Sequence, residues 1–161
     1  MIYQTDPAMP KAAQKYGCAF VSLAFYRERY LHRPWKADEL SAAWTGAIAG
    51  GIISGDLNGD GDMDDPGEAT IQDWNKLAEY LNLPVQYLGK FPLSHPLNRA
   101  LHFAITAWLN PRTKFTHFVV GDQKPVEFDP IAGGSVTVRE GAPRELDAQG
   151  NGGHRLFLRL V

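Results

Sequence analysis

The pattern of apolar residues changes half-way along the chain, and this change limits the folds open to it. In the first half, helical patterns cover residues 18–31, 36–48 and 69–82. In the second half, short β-like runs alternate with turns that contain Gly, Asn, Asp or Pro. The runs cover residues 84–88, 101–109, 117–121, 125–129, 135–139 and 155–161. Helices followed by strands predict an α+β fold, with N-terminal helices packed on a C-terminal antiparallel sheet.

The first predicted helix begins with a nearly continuous apolar run from Cys18 to Phe25. A helix that is apolar all round its axis belongs in a protein core, so we expect this one to be central and buried. The charged residues at positions 27–29 bring its last turns to the surface, and Pro34 limits it. Cys18 therefore stands at the N-terminus of a buried helix.

Length and composition exclude several classes of protein. The 161 residues predict one domain, residues 1–161, with a core of its own. The net charge is -2 and no basic tract stands out, so we expect no nucleic-acid partner. One cysteine forms no internal disulfide, and no apolar stretch is long enough to span a membrane. Residues 1–7 do not resemble a signal peptide, so we expect a protein that is cytoplasmic as made, with later release or association with a phage left open.

Cys18, His117 and Asp129 have the residue types and the chain order of a nucleophile, a base and an orienting acid. A helix N-terminus and an imidazolium both stabilise a thiolate. His117 and Asp129 lie 129 − 117 = 12 residues apart, and a hairpin at residues 121–123 would place them side by side. Taken singly, such a cysteine is usually a small buried hydrophobe and such a histidine a structural residue. Their order and spacing together favour a catalytic trio.

Several short segments resemble papain-like cysteine peptidases of the group that contains the bacteriocin-leader-processing peptidases. These segments are Tyr3-Gln4-Thr5-Asp6-Pro7, Tyr16-Gly17-Cys18-Ala19-Phe20-Val21-Ser22-Leu23-Ala24, Trp74-Asn75-Lys76-Leu77, Leu83-Pro84-Val85, His117-Phe118-Val119-Val120 and Asp129-Pro130. The resemblance covers about residues 3–135, and it lies in the order of the segments. It implies a papain-like fold and a cysteine peptidase or amidase that cleaves a peptide amide through a thioester on Cys18.

The resemblance also implies roles for the remaining site residues. Gln4 would be the side-chain donor of an oxyanion hole, with Gln14 as the rival because it is closer to Cys18 in sequence.

His102 is an alternative imidazole, although no Asp follows it at hairpin distance. Three other histidines lack ligand spacing and are expected at the surface: His32, His95 and His154. The substrate would be a peptide, a protein leader or a cell-wall peptide of bacterial or phage context.

The chain departs from that family just after the proposed nucleophile. Ala19, Phe20 and Val21 replace the residues usual there, and Phe20 is bulky for a position close to the thiol. This departure favours a second hypothesis, in which the papain-like fold is catalytically inactive and acts as a calcium-stabilised binding module.

Residues 56–68 form an acidic loop whose spacing resembles an EF-hand calcium loop. The candidate ligands are Asp56, Asn58, Asp60, Asp62, Asp64 and Glu68. Gly61 occupies the sixth place, where an EF-hand turns sharply, but Gly67 occupies the twelfth, so that the closing Glu68 comes one residue late. We expect a structural calcium ion that fixes the start of the helix over residues 69–82. The alternative is a solvated acidic turn without an ion.

Overall fold

The computed structural model describes residues 1–160, and it has the α+β organisation that the sequence predicts. The elements are α1 (Lys11–Tyr16), α2 (Cys18–Leu31), α3 (Ala37–Ala49), α4 (Trp74–Tyr80), β1 (Val85–Phe91), β2 (His102–Leu109), β3 (Thr116–Gly121), β4 (Val126–Phe128), α5 (Val136–Glu140), β5 (Ala142–Pro143) and β6 (His154–Arg159). Four helices therefore precede the sheet, and one short helix interrupts it.

The six strands form one antiparallel sheet with the order β1-β6-β2-β3-β4. β5 pairs with the end of β2 at Trp108 and Leu109, beyond the stretch of β2 that pairs with β6. The central strand β2 is consequently buried along nearly its whole length. A rigid central strand of this kind fixes the position of β3, which carries His117.

Helix α2 is the central helix of the core, as its apolar sequence predicts. Phe20, Val21 and Leu23 are almost completely buried, and the Tyr26 ring packs edge-on against Phe103 of β2. The Ser22 hydroxyl donates a hydrogen bond to the Phe118 carbonyl oxygen of β3 at 3.3 Å. These contacts hold the N-terminus of α2 against the strand that supplies the imidazole.

A short helix, α1, precedes α2 and was not predicted. The joint between the two helices is Gly17, whose N–H donates to the Ala13 carbonyl oxygen at 2.8 Å. A Cβ atom at Gly17 would lie far inside van der Waals distance of that oxygen. Glycine therefore permits the close turn that places Cys18 at the first position of α2.

The helix predicted over residues 69–82 is shorter at its start, because residues 69–72 pair with residues 52–54. Ala69 and Gln72 donate backbone hydrogen bonds to Ser54 and Ile52 at 2.8 Å each. Asp73 then caps α4 by accepting from the Lys76 N–H at 3.0 Å. This backbone ladder closes the base of the acidic loop.

The strand predicted over residues 135–139 is wrong, since these residues form the helix α5. Val136, Thr137 and Val138 have high β-propensity, but the Ser135 hydroxyl accepts from the Val138 N–H at 3.2 Å and caps a helix. Gly141 ends that helix. The N-cap and the glycine stop outweigh the intrinsic preference of three residues.

His154 is fully buried, and the prediction of a surface position is wrong. Its Nδ1 lies 2.8 Å from the Thr106 hydroxyl on β2, and its Nε2 lies 3.5 Å from Asp122. Burial lowers the pKa of His154, so the ring is neutral over most of the physiological range.

Among residues 1–160, no helix combines the length and the apolar character that a bilayer crossing requires.

Candidate active site

Cys18 lies at the first position of α2 with its sulfur facing β3. The Sγ atom accepts a hydrogen bond from the Phe118 backbone N–H at 3.4 Å. The residue is 8% exposed, so a narrow part of it remains accessible. This placement combines a helix N-terminus with a backbone donor, and both favour negative charge on a nearby atom.

His117 and Asp129 are in direct contact, as their spacing predicts. His117 Nε2 lies 2.7 Å from Asp129 Oδ1, across the hairpin formed by β3 and β4. Both side chains are about nine-tenths buried, with relative exposures of 10% and 11%. Because Asp129 occupies Nε2, the ring nitrogen left for the Cys18 thiol is Nδ1.

The charges around His117 favour its protonated form. Burial acts to lower the pKa of His117, but the hydrogen bond to Asp129 and the interactions with Cys18 and Asp129 raise it to about 9. Burial likewise acts to raise the pKa of Asp129, but the hydrogen bond from His117 and those from Ser135 and Ile131 lower it to about 2. At neutral pH the pair is therefore an imidazolium and a carboxylate.

Ser135 is a site residue that sequence reasoning missed. Asp129 Oδ2 accepts from both the Ser135 N–H and the Ser135 hydroxyl, at 2.8 and 2.6 Å, and Oδ1 also accepts from the Ile131 N–H at 3.0 Å. These bonds fix the carboxylate that orients His117. The signal was present in the sequence: a serine that follows Gly133-Gly134 and precedes a short run ending at Gly141 is a helix N-cap pattern.

Gln4, and not Gln14, lines a cavity together with Cys18 and His117. Gln4 is 1% exposed, and its backbone N–H donates to the Pro130 carbonyl oxygen at 2.9 Å, next to Asp129. Its Nε2 donates to the Gln14 carbonyl oxygen at 3.0 Å, which uses one of the two N–H bonds of the amide. The Gln14 side chain turns away and donates to the Met9 carbonyl oxygen.

Cys18 lies between two cavities. One, of about 360 Å³, is lined by Gln4, His117 and Ser135 together with Cys18. The other, of about 300 Å³, is lined by Phe20, Trp74 and Phe118 together with Cys18. We call the first the glutamine cavity and the second the aromatic cavity. A chain bound across both would pass the sulfur.

Two further sequence expectations concern this site. The Phe20 ring packs edge-on against Trp44, with 5.4 Å between ring centroids, so it forms part of the wall of the aromatic cavity. His102, the alternative imidazole, lies at the opposite end of β2 from the strand position that faces His117. Its Nδ1 accepts from the Asn98 N–H at 3.1 Å, which gives it a structural partner.

The acidic loop gathers four carboxyl groups close enough to share one cation. One oxygen from each of Asp60, Asp62, Asp65 and Glu68 lies within 4.8 Å of the others. Three of these residues are among the predicted ligands, and Asp65 is not. Glu68 is buried and accepts from the Leu57 and Asp65 N–H groups at 2.6 and 3.1 Å, so the late position of this residue still brings it into the loop.

The other three predicted ligands have different partners. Asp56 accepts from the Gly59 and Gly61 N–H groups at 2.9 and 2.8 Å. The Asn58 side-chain amide donates to Asp65 at 2.7 Å, and Asp64 accepts from the Tyr16 hydroxyl at 2.6 Å. Asp64 therefore connects the loop to α1 and lies outside the four-carboxylate cluster.

Electrostatics within the cluster indicate unbalanced negative charge. A hydrogen bond from Asn58 acts to lower the pKa of Asp65, but the neighbouring Asp60 and Glu68 carboxylates raise it overall. Backbone hydrogen bonding at Asp62 lowers the pKa of Asp60. Carboxylate oxygens at this density are the donor set that hard divalent cations bind.

Comparison of the chain with protein-family models, with curated proteins and with solved structures gives no match in any of the three. Function is therefore inferred from the site alone.

Proposed function

We propose that the protein is a cysteine peptidase or amidase of papain-like fold, with Cys18 as nucleophile, His117 as base and acid, and Asp129 as the orienting carboxylate. The observation that carries the proposal is the 2.7 Å contact between His117 Nε2 and Asp129 Oδ1, beside a cavity that His117 and Cys18 line together. A buried imidazolium beside a thiol at a helix N-terminus is the setting in which a thiolate is stable. Substrates in this proposal are peptides, including protein leaders and cell-wall peptides.

The chemistry follows from the protonation states. The Cys18 thiolate attacks the amide carbonyl carbon, and the C–S bond forms as the carbonyl electron pair moves to oxygen. The His117 imidazolium then gives its proton to the leaving nitrogen, and the C–N bond breaks to leave a thioester. Neutral His117 next takes a proton from water, the resulting hydroxide attacks the thioester, and the thiolate is regenerated. The second N–H of the Gln4 amide is the proposed donor to the oxyanion.

Two observations favour this function over an inactive binding module. His117 and Asp129 are in contact and carry opposite charges, and His117 and Cys18 line one cavity, although a binding role requires neither arrangement. Phe20, the residue that suggested a blocked site, is buried against Trp44 and leaves a cavity beside the sulfur.

The test is the rate at which iodoacetamide alkylates Cys18 as a function of pH. We expect a wild-type rate that persists to about pH 5–6 and that His117→Ala lowers, because an ordinary thiol reacts only near its pKa of about 8.5. His102→Ala is the matched control, since it removes an imidazole from the other end of the sheet. A rate that rises only near pH 8.5 and ignores His117→Ala contradicts the proposal.

We also propose that the acidic loop binds one calcium ion in a structural role. The cluster of four carboxylates supplies hard oxygen ligands, and the backbone ladder at residues 52–54 and 69–72 holds the two ends of the loop together. An ion there would lie next to residues 69–71, which line the aromatic cavity. It has no part in the hydrolytic steps.

Calcium titration by calorimetry tests this second proposal and distinguishes two ligand sets. Asp65→Asn removes a cluster oxygen, whereas Asp64→Asn removes one from the sequence-based set that lies outside the cluster. We expect one ion per chain, at least about tenfold weaker binding for Asp65→Asn, and a smaller change for Asp64→Asn. The reverse order favours an EF-hand-like ligand set, and no binding to the wild type excludes the ion.

A further inference from the structure

Two positively charged side chains line the aromatic cavity, and none of the described residues that line it is acidic. Lys90 of β1 and Arg155 of β6 both line it, along with Cys18. They stand directly opposite each other in the antiparallel ladder. Like charges at directly opposite positions repel and lower the stability of the sheet. Folding stability therefore does not explain why two cationic residues occupy these positions.

Arg155 is buried without a carboxylate partner within salt-bridge distance among the described residues. It is 6% exposed, and its guanidinium donates to the Gly152 and Gly150 carbonyl oxygens, while its Nε is buried with no hydrogen-bond partner. Its positive end also lies over the Phe118 ring at 5.0 Å. Neutral carbonyls and a ring satisfy part of a buried guanidinium but leave its charge unbalanced.

The surrounding charges agree with this picture. Burial lowers the pKa of Arg155, and Arg144 adds to this effect. Burial and the repulsion from Arg155 likewise lower the pKa of Lys90, against an opposing effect from Asp147. Asp147 itself is held by Arg144 at 3.3 Å and by the backbone N–H groups of Gln149 and Asn151. The carboxylate that acts on Lys90 is therefore engaged by other donors.

We propose that Lys90 and Arg155 form a carboxylate-binding subsite in the aromatic cavity, so that the peptides bound beside Cys18 carry an anionic group as well as an apolar side chain. The aromatic wall of Phe20, Trp74 and Phe118 receives the apolar part, and the two cations receive the carboxylate. The carboxylate is either that of an Asp or Glu side chain or that of a free peptide C-terminus. This inference rests on the proposed function in one respect, since the subsite selects substrates only if the protein is a peptidase. Binding of a carboxylate at the subsite does not require catalysis.

Equilibrium binding to the full-length Cys18→Ser protein tests the subsite without hydrolysis. The probes are fluorescent hexapeptides, each with one Phe and with Glu or Gln at one neighbouring position, and each prepared with a free and an amidated C-terminus. We expect at least about tenfold tighter binding of one Glu peptide than of its Gln partner, or of the free acid than of the amide. The two arms distinguish a side-chain carboxylate from a terminal one.

Variants then assign that preference to the proposed pair. Lys90 is exposed and makes no salt bridge within the described chain, so Lys90→Glu should fold and should abolish the preference for the acidic peptide. Lys76→Glu, on the exposed part of α4, is the matched control with the same change in net charge. Arg155→Lys keeps a positive charge and should weaken the preference less than Lys90→Glu.

The outcomes separate this inference from the proposed function. Equal binding of acidic and neutral peptides in both arms, or a preference that survives Lys90→Glu, overturns the subsite. A carboxylate preference in a protein with no hydrolytic activity keeps the subsite and removes the peptidase. Hydrolysis by the wild type without any carboxylate preference keeps the peptidase and removes the subsite.

Discussion

The thiol–imidazole site and the acidic loop are both groups of charged side chains, but the fold builds them in opposite ways. Cys18, His117 and Asp129 come from three separated parts of the chain and are buried by α2 and the sheet. The residues of the loop, 56–68, are consecutive, and all but a few are exposed. The first group is assembled by tertiary packing and the second by local turns.

The two regions also differ in how their charge is balanced. At the buried site, a raised pKa at His117 and a lowered one at Asp129 give opposite charges in contact. In the loop, like charges face one another, and Asp65 responds with a raised pKa. Burial penalises an unpaired charge, and at this site two opposite charges pair, whereas the charges of an exposed cluster stay hydrated until a cation binds.

The largest expected effect is the loss of the buried ion pair. Asp129→Asn should lower the free energy of unfolding by about 3 kcal/mol near pH 6, since the pKa of His117 is raised from 6.5 to about 9 and each pKa unit corresponds to about 1.36 kcal/mol. Chemical denaturation of the variant and of the wild type measures this difference. Glu127→Gln, a change at an exposed position two residues away, should stay within about 0.5 kcal/mol.

The pH dependence of that difference has a defined sign. The contribution of His117 is complete below its unfolded pKa of 6.5 and is lost as the pH rises towards 9. The contribution of Asp129 is complete above its unfolded pKa of 3.8 and is lost as the pH falls towards 2. The difference between wild type and Asp129→Asn should therefore be greatest between about pH 4 and 6.5. A difference that grows from pH 7 to 9 contradicts the assigned charges.

How far each region could be predicted from sequence follows from how it is built. The apolar run after Cys18 predicted the central helix, and a 12-residue interval predicted that His117 and Asp129 meet, because hairpin geometry is regular. Ser135 was missed because its role depends on a turn that brings a later helix cap back to Asp129. His154 was misplaced because only the tertiary fold decides which strand ends are covered.

In the loop, local spacing predicted that several carboxylates converge, but it assigned Asp64 to the cluster in place of Asp65. The EF-hand-like register assigned Asp64, but the turn at Pro66 brings Asp65 towards Glu68, and Asp64 faces Tyr16 instead. A one-residue change in a loop alters which side chains converge, and no periodicity constrains it as it constrains a helix or a strand. The predicted calcium ion is unaffected by this change, since both sets offer carboxylate oxygens.

The next largest effect is expected from calcium itself. At a calcium concentration a hundredfold above its Kd, binding stabilises the folded state by about 2.7 kcal/mol. For a chain of this length that corresponds to a rise in Tm of roughly 5–10 °C, measured by scanning calorimetry. Glu68→Gln should abolish the rise, while Glu79→Gln, an exposed acid on α4, should retain it. An equal rise in both variants would mean that calcium acts elsewhere.

A smaller effect is expected where the buried site is supported. Ser135→Ala removes the hydroxyl bond to Asp129 and the cap of α5, and it should cost about 1–2 kcal/mol of unfolding free energy. Because Asp129 then accepts one hydrogen bond fewer, its pKa should rise, which an NMR titration of the carboxyl group detects. Ser22→Ala removes a hydroxyl bond to the Phe118 carbonyl and is the control. An unchanged Asp129 pKa would leave Ser135 with a capping role alone.

The smallest effect concerns Tyr16, where the two regions meet. Its hydroxyl bonds to Asp64 of the loop at 2.6 Å, its ring stacks on Phe115, and it lies two residues before Cys18. Tyr16→Phe keeps the ring and removes the bond, so it should cost at most about 1 kcal/mol of unfolding free energy.

If the loop influences the nucleophile through this contact, calcium should change the Cys18 alkylation rate by about two- to threefold in the wild type and in the control Tyr3→Phe, and not in Tyr16→Phe. A calcium response that persists in Tyr16→Phe would locate the link at residues 69–71, which follow Glu68 and also line the aromatic cavity. A wild type without any response would mean that the two regions share a fold but act independently.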